Sequence, residues 1–196
     1  MSIDARANTP TLQNENRWST KQLVVMALMC AIALLLSFIE FPLFPAASFL
    51  KLDFSLVPTT VVGFAYGAGP GLVVGLACAV AHAAITGNWV GCLMSCIVAV
   101  VYIVPAALIY RRMHTMKGGI VGLVVSTLCL IVGIIIANLI IDPLFYGMPF
   151  EAVAALVVPA ILPFNAIKGV LVSALTLLVY KSISNLITPT KKQAKA

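Results

Sequence analysis

The sequence predicts an all-α, polytopic membrane protein with six transmembrane helices in one bundle and both termini cytoplasmic. Three observations predict it. Hydrophobic residues make up 62% of the 196 positions and charged residues only 9%, where a soluble domain carries about one quarter charged residues. Apolar runs approaching the roughly 20 residues that a ~30 Å hydrocarbon core demands recur along most of the chain. The basic residues are also segregated to one set of run ends.

Residues 1–21 form a polar tail, in which Ser19 or Thr20 is placed to cap the first helix. The first span runs from about Leu23 to Phe41 and stops at Pro42. The loop "PLFPAASFLKLDFSLVP" leads to a short apolar run at 56–66, and "GAGPG" turns tightly into a third span at 71–86. The shortness of the second run and the Gly/Ala content of the third predict a close helical hairpin. The fourth span covers about 91–110 and stops at "RRMHTMKGG"; the fifth covers about 119–141 and stops at Asp142-Pro143. The last run, from about 153 to 187, is too long for one straight span. Pro159 and Pro163 are expected to divide it into an approach segment and the helix proper. The helical domain thus spans 22–187, and 188–196 is a basic tail.

Charge sets the orientation. Arg6, Arg17, Lys21, Arg111, Arg112, Lys117, Lys181, Lys191, Lys192 and Lys195 fall on one side, and Lys51 alone falls on the other, with Glu40, Asp53, Asp142 and Glu151. Basic loops face the cytoplasm, so both termini are expected there with the acidic loops outside. A net charge of +6 distributed this way suits anionic lipid, and no nucleic-acid partner is expected.

The function must lie in the few polar residues of the spans, because an ionisable group near the bilayer centre costs at least ~2.5 kcal/mol. His82, Asn138, Asn165 and Lys168 lie within spans, with Glu40, Asp53 and Asp142 at their outer ends. Clustering toward the outer face suits capture of a ligand; a conducting path would need polar steps through the full depth. Each residue also has a structural reading. Asn138 fits interhelical glue, Lys168 a clasp on Asp142 or Asp53 or outward snorkelling, and His82 a hydrogen-bonded interior residue. Asp53 is placed to cap the second helix, Glu40 reads as a solvated loop edge, and Trp89 fits an interfacial belt as well as a ligand platform.

Catalysis finds no support. There is no GxSxG or Walker pattern, no His/Cys/carboxylate set with metal-ligand spacing and no carboxylate pair within a span. No metal, cofactor or enzymatic activity is therefore expected. The five cysteines, Cys30, Cys78, Cys92, Cys96 and Cys129, read as helix-packing residues. Small residues recur at fours in the first span (Ala27, Ala31) and the third (Gly71, Gly75, Ala79), a spacing that lets helices approach closely. For the third span internal packing is expected; for the first the spacing leaves a partner interface equally open.

The segments "LKLDFSLVPTTVVGFAYGAGPGLVVG", "RRMHTMKGG", "ANLIIDPLFYGMP" and "ILPFNAIKGVLVSALTLLVYKSIS" together resemble the substrate-binding S component of energy-coupling factor transporters, in its riboflavin-specific branch. The resemblance runs from about 22 to 187, and "LPFN-x-IKG" is its most specific element. It implies high-affinity capture of a vitamin from outside, with uptake driven by a coupling transmembrane subunit and two ATP-binding subunits. It also implies docking of Ala27 and Ala31 on the coupling subunit, and a lid formed by the loop between the first two helices. Asn138, Asn165 and Lys168 match the residues that hold the flavin ring.

Chemistry agrees with that assignment. The isoalloxazine edge alternates acceptor, donor, acceptor, and Asn supplies both kinds of partner while Lys supplies donors. Asn165 and Lys168, at i and i+3, share a helix face, and Phe38, Phe41, Phe44 and Phe49 near the lid are placed to cover the ring. The third helix departs from the branch: it reads "ACAVAH", with Cys78 and Ala79 where related riboflavin binders carry a Lys-Asn pair. His82 and Asn88 are then the groups nearby that can hold the ribityl chain. An S component for another vitamin or precursor is the alternative, and a stand-alone facilitator is a further one.

Overall fold

The computed structural model describes residues 18–43 and 50–187, with side chains described up to Ser182. Residues 1–17 of the tail expected at 1–21, the tail at 188–196, and Phe44 and Phe49 lie outside the described residues, and Thr20 and Lys21 belong to α1. The described chain is a bundle built from α1 (Thr20–Ser37), α2 (Leu56–Tyr66), α3 (Ala68–Thr86), α4 (Trp89–Met113), α5 (Met116–Tyr146), α6 (Phe150–Leu156) and α7 (Leu162–Ile187). Five stretches are long and apolar enough to cross a membrane, the last being the continuous helical run from Phe150 to Ser182, and α2 is a shorter apolar helix. The six expected spans are therefore present, one of them only 11 residues long, or roughly 16 Å.

Local signals set most boundaries. Ser19 caps α1 in a capping box with Gln22, each side chain meeting the other's backbone N–H. Between α1 and α2 the structure adds an element that the sequence reading treated as plain loop. A two-residue ladder pairs β1 (Phe41–Pro42) antiparallel with β2 (Lys51–Leu52), Phe41 opposite Leu52. Asp53 does not cap α2. Its carboxylate instead accepts from the backbone N–H and hydroxyl of Ser55, the N-cap residue, whose own side chain makes no capping bond.

The connection between α4 and α5 is tighter than expected. Arg111, Arg112 and Met113 remain in α4, and α5 begins at Met116. His114, with φ 44°, ends one helix, and the Thr115 hydroxyl accepts from Gly118 N at 3.1 Å to start the next. Nor does α5 stop at Asp142-Pro143: it continues to Tyr146. Pro143 falls in the final turn, where it deletes a single backbone bond and leaves little helix to disrupt. In the last run the two prolines do not break the chain. Val157–Ile161, containing Pro159, widens into a π turn, which relieves the clash between the proline ring and the preceding turn. Pro163 follows directly after that turn, so the widened backbone also accommodates its ring and missing N–H.

The short helix α2 is the most enclosed. Every residue of α2 from Leu56 to Phe64 is buried, because α2 packs against α1, α3, α4 and α7. The hairpin with α3 depends on bare backbone: a Cβ on Gly71 would lie 2.8 Å from Gly63 Cα. Gly75 packs in turn toward Ala99 and Ile103 of α4, so the Gly71/Gly75 stripe serves internal packing as expected. The α1 stripe behaves differently. Met26, Met29, Ala33 and Ser37 face inward, while Ala27 and Ala31 are exposed on the opposite face.

One end of the bundle is closed by aromatic groups. Phe64 stacks on Tyr110 at 4.6 Å, and the Tyr110 and Tyr180 hydroxyls meet at 3.0 Å. Arg111, Arg112, Lys117 and Lys181 flank this end in sequence. Nearer the middle, Tyr102 of α4 meets Ser173 of α7 at 2.8 Å, and Ser173 lies 3.3 Å from Thr127 of α5. The sequence reading passed over these hydroxyls when it judged the depth of the spans free of polar steps. They form a hydrogen-bonded layer without a carboxylate, His or Lys.

Candidate ligand-binding site

Away from the aromatic end the helices part around a cavity of about 170 Å³. Its walls come from the ends of α1 and β2, from α2, α3, α4 and α5, and from α7. Six residues expected at the site line it together: His82, Asn88, Asn138, Asn165, Lys168 and Asp53. Phe41 does not; it is half exposed in β1. Pairing with Leu52 fixes its strand, and the side chain turns away from the cavity lining. Cys78 and Ala79 of α3 also line the cavity.

The α5/α7 wall is the more enclosed. Asn138 and Asn165 are 1% and 2% exposed, and each amide donates to the carbonyl four residues earlier, Ile134 O and Ile161 O, at 2.8 Å. That bond uses one of the two amide hydrogens and orients the group. The other hydrogen and the oxygen are left for a ligand, and Asn138 Oδ1 has no partner within the protein. One turn further along α5, Asp142 is also 1% exposed and its Oδ2 is equally unpartnered. Buried acceptors of this kind are rare and costly. A bound N–H or O–H donor would satisfy them.

Lys168 is clasped to Asp53 rather than to Asp142. Its Nζ donates to Asp53 Oδ2 at 2.9 Å, with the two side chains 11% and 19% exposed. Burial raises the Asp53 carboxyl, but the Lys168 ammonium and the Ser55 hydroxyl and N–H outweigh it and hold it below the ordinary value of 3.8. The clasp joins α7 to the loop before α2. It occupies one ammonium hydrogen and leaves two, so the structural and ligand-binding readings of Lys168 are compatible. Close packing brings it there: a Cβ on Gly169 would run into the Thr127 side chain of α5.

The α1/α3 wall is more open. Glu40, read from sequence as a solvated edge, lines the cavity and pairs with Lys51 Nζ at 2.5 Å. Its other oxygen lies 3.8 Å from His82 Nε2. The His82 ring packs edge-on against Phe38 at 5.1 Å. Asn88 caps α4 through a 2.8 Å bond from Gly91 N, so its oxygen is committed to the fold.

Sequence reasoning underused two residues, Glu40 and Asp142. Asp142 was legible as the i+4 neighbour of Asn138 on one helix face. Glu40 was not, because its partners Lys51 and His82 come from other elements.

The fold and site define a multi-pass membrane protein with a polar-walled pocket opening at one end and closed at the other. Residues 21–180 match the family described as ECF transporter, substrate-specific component, and the chain belongs to that family. It is accordingly a transporter component and not an enzyme. Among its relatives is the riboflavin transporter RibU of Staphylococcus aureus (strain TCH60), 29% identical over 177 residues that cover 87% of this chain and 94% of that protein. The riboflavin transporter FmnP of Bacillus subtilis (strain 168) is 29% identical over 171 residues, covering 82% and 90%. The solved structure described as "Structure and mechanism of the S component of a bacterial ECF transporter" superposes with a TM-score of 0.76 at 29% identity, covering 86% of this chain and 98% of that one.

Proposed function

We propose that this chain captures riboflavin, or a close flavin, from outside the cell as the substrate-binding subunit of an ATP-driven transporter. The observation that carries the reading is the convergence of Asn138, Asn165 and Lys168 from two helices on one enclosed cavity wall. The names of the two relatives point to the same ligand. A flat ring edge alternating C=O, N–H and C=O finds amide N–H groups and ammonium hydrogens for its oxygens. It finds Asn138 Oδ1 or Asp142 Oδ2 for its N–H. Riboflavin is cargo here, and no resident cofactor is needed.

The cavity opens outward and the basic aromatic end faces the cytoplasm, a reading supported by the charge partition. A coupling transmembrane subunit and two ATP-binding subunits supply the energy. Ala27 and Ala31, small and exposed on α1, form the docking face for the coupling subunit. A second reading, an S component for a different vitamin, draws on the small apolar Cys78 and Ala79 in the cavity wall.

The test is direct. The purified protein quenches the fluorescence of added riboflavin, or comes off the column yellow. A colourless protein that leaves riboflavin fluorescence unchanged overturns the assignment. Replacing Ala27 and Ala31 by Leu leaves quenching intact and stops uptake by the assembled transporter; uptake at the normal rate removes the docking role.

A further inference from the structure

The cavity holds a second polar group that the reading above does not use. On the α5/α7 wall stand Asn138, Asn165, Lys168 and the unpartnered Asp142 oxygen. The second group comes from other elements, because α3 packs against α1, α2 and α4 while α7 packs against α5 and α2. α4, which packs against both α3 and α5, contributes the apolar Val98 and Ala99 to the lining. In the second group Glu40, just past α1, is held through Oε2 by Lys51 of β2, and Oε1 points to His82 Nε2 of α3 across 3.8 Å. That distance exceeds a direct hydrogen bond. A single hydroxyl, donating to the carboxylate and accepting from the imidazole Nε2–H, would bridge it. Phe38 against one edge of the imidazole and Lys51 on the far carboxylate oxygen hold the two groups in this relation. Ser95 and Asn88, whose amide hydrogens are free, also line the cavity.

A ligand with a flat, hydrogen-bonding head and a flexible polyol tail can engage both polar groups at once. We infer that the Glu40–His82 pair is the subsite for the hydroxylated tail, so that Glu40, read from sequence as a solvated edge, is a specificity-determining residue. This inference rests on the flavin reading for the identity of the head. Its chemistry is that of a diol or polyol chain: vicinal hydroxyls each offer one donor and two acceptor sites, and a carboxylate acceptor beside an imidazole N–H donor matches them. Lys51 keeps Glu40 aimed inward and is a positioning residue.

The experiment separates head from tail. Riboflavin and lumiflavin share the tricyclic ring, and lumiflavin carries a methyl group in place of the ribityl chain. Both are titrated by fluorescence quenching against the intact chain and against Glu40→Gln and His82→Ala. The expected result is that wild type favours riboflavin, and that each substitution weakens riboflavin by roughly tenfold or more, the usual effect of losing a hydrogen bond to a charged or buried partner. Lumiflavin changes less than twofold, which also shows that the variants are folded. Lys51→Ala is expected to reproduce part of the riboflavin loss. Equal weakening of both ligands, or no weakening of riboflavin, overturns the tail subsite while leaving the flavin reading intact. Failure of wild type to bind either ligand overturns both.

Discussion

The two walls of the cavity solve the problem of polarity in a membrane protein in different ways. On the α5/α7 side the polar groups are almost fully enclosed, and Asn138, Asn165 and Lys168 are each fixed by a short-range bond or by the Asp53–Lys168 clasp. What they leave over, the oxygens of Asn138 and Asp142, has no partner in the protein. On the α1/α3 side the groups are partly wet: Glu40, His82 and Lys51 retain 25%, 21% and 49% of their side-chain exposure. Water screens such groups and stands in for missing partners. An unmet polar group on the enclosed wall is expensive, so the proposed ring contacts there would carry most of the affinity. The proposed tail subsite on the open wall would carry selection among ligands of different length.

Substitutions should separate the walls in a definite order. Asn165→Leu and Asn138→Leu remove both donor and acceptor from the ring edge and should weaken riboflavin by about 100-fold, the scale of discrimination by buried polar partners. Binding within twofold of wild type for either variant would mean that the ring sits elsewhere. Asp53→Ala leaves the Lys168 ammonium unpaired and should lower unfolding stability by about 3 kcal/mol, measured in detergent by thermal denaturation; an unchanged Tm would show the clasp to be dispensable. Gly169→Leu forces α7 off Thr127 and should cost about 1–3 kcal/mol, with a loss of ligand affinity because Lys168 moves with the helix. Lys51→Ala should change stability by less than ~1 kcal/mol, as half-exposed ion pairs do. A larger loss would mean that β1 and β2 are held mainly by this contact.

Acid titration sharpens the same contrast. The folded-state pKa of Asp53 is depressed, so its contribution to stability is fully present above the ordinary carboxylate value. It is lost as pH falls through the folded value, below about 3.8. Wild type should lose stability in that window while Asp53→Ala, already lacking the contribution, changes less. Parallel curves would show that Asp53 and Lys168 are not coupled.

Much of this was legible from residues alone. The bounds of α2 match the short apolar run at 56–66, and the Gly-rich turn predicts the hairpin that Gly63 and Gly71 permit. Asn138, Asn165 and Lys168 stood out because polar groups are scarce in apolar runs, and all three line one cavity. The helix ends at 110–119 and 142–146 were misjudged. Apolarity fades there before the backbone hydrogen bonds do, and a terminal proline interrupts only one of them. Phe41 was credited to the site on proximity in sequence, whereas its β pairing directs it away.

By itself the sequence determined the class of protein, the membrane spans and the identity of the buried polar residues. Each of these follows from local quantities, namely hydropathy over a turn or two of helix and the cost of placing charge in hydrocarbon. Only the tertiary structure decided which polar groups meet. Lys168 chose Asp53 over Asp142 across 115 positions of chain, Glu40 joined Lys51 and His82, and Asn138 and Asp142 kept an acceptor each for something the protein does not supply. Those outcomes depend on how closely helices approach, and that is set by contacts such as Gly71 on Gly63 and Gly169 on Thr127, which no local pattern contains.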